Sequence, residues 1–159
     1  MSDNTDRKPV IAVIGAGKCS RKLRDMAAEI GRYVAENGGV VLCGGLGGVM
    51  EGAARGAKEA GGTTIGIIPS ENKADANQFI DYVIPTGFGQ ARNVLIVRAA
   101  DAIIALPGKF GTLSEMAFAL VSGKPIISVQ AWKLGEEIQQ VEDPLEAAKI
   151  AMELARKQN

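Results

Sequence analysis

Short apolar runs rich in valine and isoleucine alternate along the chain with longer alanine-rich segments whose apolar residues recur every three or four positions. The first pattern fits strands buried on both faces of a sheet, and the second fits helices with one packed face. Strands are expected at Val10 to Ile14, Val40 to Cys43, Thr64 to Ile68, Tyr82 to Ile84, Ala102 to Leu106 and Ile126 to Val129, six in all. Five helices are expected, over Arg21 to Glu36, Gly48 to Ala60, Gln90 to Ala99, Leu113 to Val121 and Pro144 to Lys157. Gly38-Gly39, Gly61-Gly62 and Gly123 follow helix ends, where a residue able to take positive φ closes the last turn.

Strand and helix in alternation imply parallel strands joined by right-handed crossovers. The fold class is therefore α/β, a Rossmann-like three-layer αβα sandwich with a mostly parallel sheet, whose ligands bind beyond the carboxyl ends of the strands. The 159 residues suit one domain. Residues 9–159 are expected to form it, after a disordered polar tail over residues 1–8. The segment Pro69 to Asp81 lacks periodicity and reads as a loop over the ligand-binding edge, where it shapes or covers the site.

Charge narrows the partners. Eighteen basic and eighteen acidic residues leave no net charge, so neither nucleic acid nor an anionic membrane is an expected partner. No apolar run approaches the roughly 20 residues that span a bilayer, and the N-terminal stretch is not a signal peptide. Cys19 and Cys43 form no CxxC pair, which suits a cytoplasmic protein with reduced thiols. Each lies at a strand–loop junction, where a small buried residue is the expected role and a reactive thiol the alternative. The chain has no histidine, which excludes a histidine-dependent triad and a histidine-ligated metal; no metal site is expected.

Three strands end in glycine-rich turns that open helices: Gly15 to Ser20 (GAGKCS), Cys43 to Gly52 (CGGLGGVMEG) and Pro107 to Glu115 (PGKFGTLSE). Unpaired N–H groups at a helix start, approached closely through glycine, make a cradle for phosphate. The first turn is not a Walker A loop, because Ala12 stands where its first glycine belongs and Cys19 follows Lys18. A dinucleotide fingerprint fails too, since the second strand ends in Cys43-Gly44-Gly45 without an acidic residue. Gly52, Ala53, Gly56, Ala57 and Ala60 after the second turn let a helix lie close to the sheet or to a second subunit. In the third turn, Thr112 and Glu115 have the spacing of a capping box, so the carboxylate reads equally as a helix cap or as a functional group.

Taken in order, CGGLGGVMEGAARGAKEAGG, TIGIIP, TGFGQARN and LPGKFGTLSE resemble the Lonely Guy (LOG) family and its short relatives, the molybdenum cofactor carrier proteins, from about Val10 to Val129. Some relatives carry a lysine decarboxylase label, but no pyridoxal-phosphate site is visible here. The resemblance implies a Rossmann-like homodimer or homotetramer that binds a phosphorylated small molecule. In LOG members it implies hydrolysis of the N-glycosidic bond of nucleoside 5′-monophosphates. Their PGGxGTxxE signature ends in a catalytic glutamate and works with an arginine on the preceding helix, which match Glu115 and Arg92. The carrier branch binds a phosphorylated pterin without turnover, and TGFGQARN and the short Pro69 to Asp81 loop look more like that branch. The second glycine of the signature is Lys109 here, a cation that adds a phosphate contact or fills the pocket.

The catalytic candidates are thus Arg92 and Glu115. The phosphate- and ligand-binding candidates are Gly15, Gly17, Gly44, Gly45, Gly47, Gly48, Met50, Asn93, Gly108, Lys109, Gly111 and Thr112. The functional readings are a nucleoside 5′-monophosphate phosphoribohydrolase, a non-enzymatic carrier or sensor of a phosphorylated cofactor or nucleotide, and an oligomer that has lost its ligand. No cofactor is required by these readings, and a nucleotide or molybdenum cofactor would be a bound ligand.

Overall fold

A computed structural model of the protein describes residues 7–158, so most of the expected N-terminal tail lies outside the described residues. Among these residues seven strands form one sheet in the order β4-β3-β2-β1-β5-β6-β7. They are β1 (Val10–Ile14), β2 (Val40–Cys43), β3 (Thr63–Ile68), β4 (Tyr82–Pro85), β5 (Ala102–Ala105), β6 (Ile126–Val129) and β7 (Gln139–Val141), every neighbouring pair parallel. The helices are α1 (Arg21–Glu36), α2 (Val49–Glu59), α3 (Asn93–Ala99), α4 (Phe110–Ser122) and α5 (Pro144–Arg156). The fold is α/β and Rossmann-like. No helix among the described residues is long and apolar enough to cross a membrane.

Period-two alternation divides each central strand between two cores. Ile11 and Val13 of β1, with Ala102 and Ile104 of β5, face a core closed by α1, α2 and α5. Ala12 and Ile14, with Ile103 and Ala105, face a second core closed by α3 and α4. Both faces of the sheet are covered, which is why the strands read as unbroken apolar runs. Local signals fix the helix ends: Ser20 Oγ accepts from Leu23 N–H at 3.2 Å, Asp143 Oδ1 accepts from Leu145 N–H at 3.0 Å, and Gly123 closes α4 at φ 65°.

Four expectations are corrected. A seventh strand, β7, pairs with β6 at the sheet edge; its Gln139-Gln140-Val141 sequence is largely exposed and carries no apolar run to betray it. The first turn of the expected helix at Gln90 is a separate 3-10 turn over Gly89–Arg92, with the α-helix starting at Asn93. Helix α4 begins at Phe110 with Lys109 as its N-cap, so Thr112 and Glu115 lie inside the helix and form no capping box. Finally, the close approach of the α2 glycines, Gly52 and Gly56, is to α1 rather than to the sheet. A Cβ on Gly56 would lie 1.9 Å from Ala28 O, and one on Gly31 of α1 would lie 2.0 Å from Ala53 O.

That close approach makes Gly56 a test of the fold. Alanine in a helix interior is favoured over glycine by about 1 kcal/mol, yet here its methyl group must force the helices apart. Gly56→Ala is expected to destabilise the protein by about 2 kcal/mol, read as a lower urea midpoint. A midpoint equal to or above that of the wild type would contradict the α1–α2 packing described.

Candidate functional site

The sheet order reverses between β1 and β5, since the chain runs outward from β1 to β4 and returns beside β1. A crevice at the carboxyl ends of the strands follows from that reversal. Three turns meet there: Gly15 to Ser20 after β1, Gly44 to Gly48 after β2, and Leu106 to Lys109 after β5. Ala16 holds them together. Its N–H donates to Pro107 O at 2.9 Å, and its carbonyl accepts from Val49 N–H, the first residue of α2, at 2.9 Å.

The crevice encloses a cavity of about 440 Å³, within the size range of small-molecule sites. Of the sequence candidates, Gly15, Gly17, Met50, Arg92, Asn93, Lys109, Gly111, Thr112 and Glu115 line it. Gly44, Gly45, Gly47, Gly48 and Gly108 do not, and stand behind its walls. Gly44 shows the reason, because a Cβ there would lie 2.8 Å from Arg92 Nη2 and 2.6 Å from Met50 Sδ. The four-glycine turn makes room for the side chains that reach the cavity. Gly48 sits at φ 62°, a left-handed conformation that favours glycine, and opens α2.

Arg92 is only 4% exposed. Its Nε donates to Ile67 O in β3 at 2.9 Å and its Nη2 to Gly44 O at 3.4 Å, while Nη1 donates to Asn93 Oδ1. Burial lowers its pKa, an effect partly offset by Glu115 and Cys43. Asn93 passes the connection on to α4, donating from Nδ2 to Ser114 Oγ at 3.0 Å and to Gly111 O at 3.5 Å. Two successive residues thus tie the carboxyl ends of β2 and β3 to the start of α4.

Glu115 is 8% exposed and lines the same cavity. Among the described residues its carboxyl group has neither a hydrogen-bond donor nor an ion-pair partner, Arg92 included. Burial raises its pKa to about 8, against a smaller opposing pull from the Arg92 charge. A carboxyl held without a partner beside a cavity can give up a proton near neutral pH or face positive charge on a ligand. Thr112 packs instead against Gly108, where a Cβ would lie 2.0 Å from its Oγ1.

The start of α4 adds a second kind of chemistry. The first intrahelical acceptor is Lys109 O, which takes Leu113 N–H at 3.0 Å; the N–H groups of Phe110, Gly111 and Thr112 precede it and have no intrahelical partner. Lys109, Gly111 and Thr112 form one wall of the cavity, where such a helix start can attract an anion. Lys109 is itself at φ −102°, outside the left-handed region that favours glycine. Trp132, in the loop after β6, braces this wall by donating from Nε1 to Lys109 O at 3.1 Å and stacking on Phe110 with ring centres 6.3 Å apart.

Sequence reasoning missed Ala16, Lys18, Leu46 and Gln90, which also line the cavity. Ala16 and Lys18 belong to the GAGKCS turn and Gln90 to TGFGQARN, so their motifs carried the only available signal. The Pro69 to Asp81 loop acts indirectly: Asn77 donates from its N–H to Gly45 O and from Nδ2 to Leu46 O, each at 2.8 Å, fixing the second turn from behind. Cys43 is fully buried, with its thiol pushed up to about 12 by burial, which opposes its service as a reactive thiolate. No cluster of three or more potential metal ligands occurs among the described residues.

The model of the SLOG cluster4 family matches residues 8–157. The chain belongs to that family. Over 137 residues it is 44% identical to a protein of Archaeoglobus fulgidus, covering 86% of this chain and 90% of that one. It is 33% identical over 140 residues to a cytokinin riboside 5′-monophosphate phosphoribohydrolase of Mycobacterium tuberculosis, covering 82% of this chain and 74% of the relative. Among solved structures, the Moco carrier protein of Chlamydomonas reinhardtii superposes with a TM-score of 0.85 at 33% identity, covering 95% of this chain and 99% of that one. This SLOG cluster4 member is therefore similar both to LOG phosphoribohydrolases and to molybdenum cofactor carriers, as its motifs suggested.

The burial of Glu115 sets a pH dependence of stability. Its pKa rises from 4.5 to about 8 on folding, so between those values the folded state holds a proton that the unfolded state has released. Stability therefore falls as pH rises through that window. Glu115→Gln removes this dependence: its melting temperature is expected to match the wild type near pH 5 and to exceed it near pH 8. Parallel melting profiles for the two proteins across that range would overturn the assignment.

Proposed function

We propose that the cavity binds a nucleoside 5′-monophosphate and that the protein hydrolyses its N-glycosidic bond, releasing the base and ribose 5-phosphate. The observation that carries this reading is Glu115, a buried and unpartnered carboxyl on the surface of a cavity that also offers Arg92 and the start of α4. As the bond between ribose C1′ and the base nitrogen breaks, positive charge builds on the sugar and negative charge on the departing base. Glu115, protonated near neutral pH, gives its proton to the base. The carboxylate left behind stabilises the cationic sugar and then takes a proton from the water that attacks C1′. Atoms and charge balance with water as the only co-reactant.

Arg92 uses three of the five N–H groups of its guanidinium on the chain. The rest are free to hold the ligand in a bidentate or charge-assisted contact. Those N–H groups and the amides of Gly111 and Thr112 are the proposed phosphate seat. The likeness to the phosphoribohydrolase of Mycobacterium tuberculosis supports the hydrolase reading. Both cysteines are free thiols, which fits a reducing, cytoplasmic setting.

A second reading has its own support. The match to the Moco carrier protein spans almost the whole of that chain, and Lys109 replaces a glycine of the hydrolase signature. On this reading the site holds a phosphorylated pterin and performs no hydrolysis. One experiment separates the two. With AMP as substrate, the wild type is expected to release adenine, with activity declining above about pH 8 as Glu115 loses its proton. Glu115→Gln is expected to lower kcat by about 10²-fold or more while AMP still raises its melting temperature. A wild-type melting shift with AMP or a phosphorylated pterin and no released base favours the carrier.

We further propose that the protein is a homo-oligomer built on α3 and α4. Phe118 and Val121 lie three residues apart on α4 and are exposed, Val121 by 87%, and Leu95 is exposed on α3, which packs against α4. A self-complementary apolar face on a pair of helices suits a two-fold interface with a second copy of the chain. The same two helices carry the buried Asn93 and Glu115, so the partner copy would stiffen the site. Val121→Lys is expected to convert the assembly to monomer in light scattering at micromolar concentration; a wild-type monomer under those conditions would refute the interface.

A further inference from the structure

The cavity carries more positive charge than one buried phosphate contact requires, and that charge lies at two depths. Arg92 is at the floor, fixed to the strand-end carbonyls of Ile67 and Gly44 and almost wholly buried. Lys18 and Lys109 also line the cavity but are exposed. Their loops touch: Ala16, two residues before Lys18, donates its N–H to the carbonyl of Pro107, two residues before Lys109. Neither lysine forms a side-chain ion pair among the described residues. The sole acidic residue of the lining is Glu115, which is buried on α4. Two like charges on contacting loops, with no carboxylate beside them, repel one another until an anion comes between them.

We infer that the site takes a ligand with two separated anionic groups, a phosphate ester that also carries a second phosphate or another oxyanion, and that Lys18 and Lys109 bind the second group at the mouth of the cavity. The inference rests on the reading of the cavity as a phosphate-ester site and adds the ligand's second anion to it. A single tetrahedral anion at the floor satisfies Arg92 and leaves the lysine pair uncompensated. An anion at the mouth alone leaves Arg92 without a charge partner. A ligand that spans both satisfies all three cations, and the cavity of about 440 Å³ has room for it. Lys109 then has a positive reason to stand in a glycine-rich turn: it recruits a second charge that a glycine there could not.

Inorganic phosphate and pyrophosphate test this without any assumption about the base. Titrations by calorimetry at fixed ionic strength, which holds screening constant, are expected to show pyrophosphate binding about tenfold more tightly than phosphate. Lys18→Met and Lys109→Met are each expected to weaken pyrophosphate more than phosphate and to cut that preference to about threefold or less. Lys149→Met, an exposed lysine on α5 outside the cavity, is expected to keep it. Equal affinities in the wild type, or a full preference in the Lys18→Met/Lys109→Met double variant, would overturn the second-anion site even if AMP and phosphate bind. Failure of phosphate, pyrophosphate and AMP alike would overturn both this inference and the phosphate-ester reading beneath it.

Discussion

Ala16 is the point through which the ends of three strands are held in one place. Its amide is satisfied by Pro107 beyond β5 and its carbonyl by the first N–H of α2. A buried amide or carbonyl without a partner is expensive, so each loop is held where it meets these two groups. The consequences run outward. Pro107 fixes the approach to Lys109 and α4, and therefore where Glu115 enters the cavity. Val49 fixes the start of α2, and therefore Met50 and the glycine turn that the Arg92 side chain reaches. The topological switch between β1 and β5 creates the crevice, but Ala16 gives the crevice its shape.

Arg92 completes the arrangement from the other side. A guanidinium removed from water must replace its hydration with protein acceptors. The two it finds on the main chain are carbonyls at the ends of neighbouring parallel strands, at Ile67 and Gly44. Such carbonyls are available there because the strand ladder has just ended. The site thus uses a property of the sheet edge: the same termination that opens the crevice supplies the acceptors that hold a buried cation in it.

The sequence made the sheet legible because both its faces are buried, so β1, β2, β5 and β6 appear as apolar runs that no helix would show. The edge strand β7 was illegible for the same reason, since its residues are exposed and polar. At the site, residue type was legible and geometry was not. Thr112 and Glu115 share one helix face whether they sit at its start or one turn inside it, so their spacing could not distinguish a capping box from a cavity wall. The start of α4 at Phe110 decides between them. The four glycines from Gly44 to Gly48 advertised close approach, but only the fold shows that what approaches is the side chains of Arg92 and Met50. Ala16 had no signal of its own: its role is carried by backbone atoms, which every residue possesses.

The state of Glu115 follows from a contest between solvation and charge. Three cations line the cavity with it, and on charge alone its pKa would fall. It rises instead, because burial of the carboxylate outweighs the one nearby cation that acts on it appreciably, Arg92. Lys18 and Lys109, exposed to water at the mouth, are screened from it. An anionic ligand reverses part of this balance. It neutralises Arg92 and brings negative charge into the cavity, both of which hold the Glu115 proton more tightly. Anion binding and protonation of Glu115 are therefore linked in the same direction. An occupied cavity thus presents a neutral carboxyl to its ligand, and the hydrolase and carrier readings share that resting state.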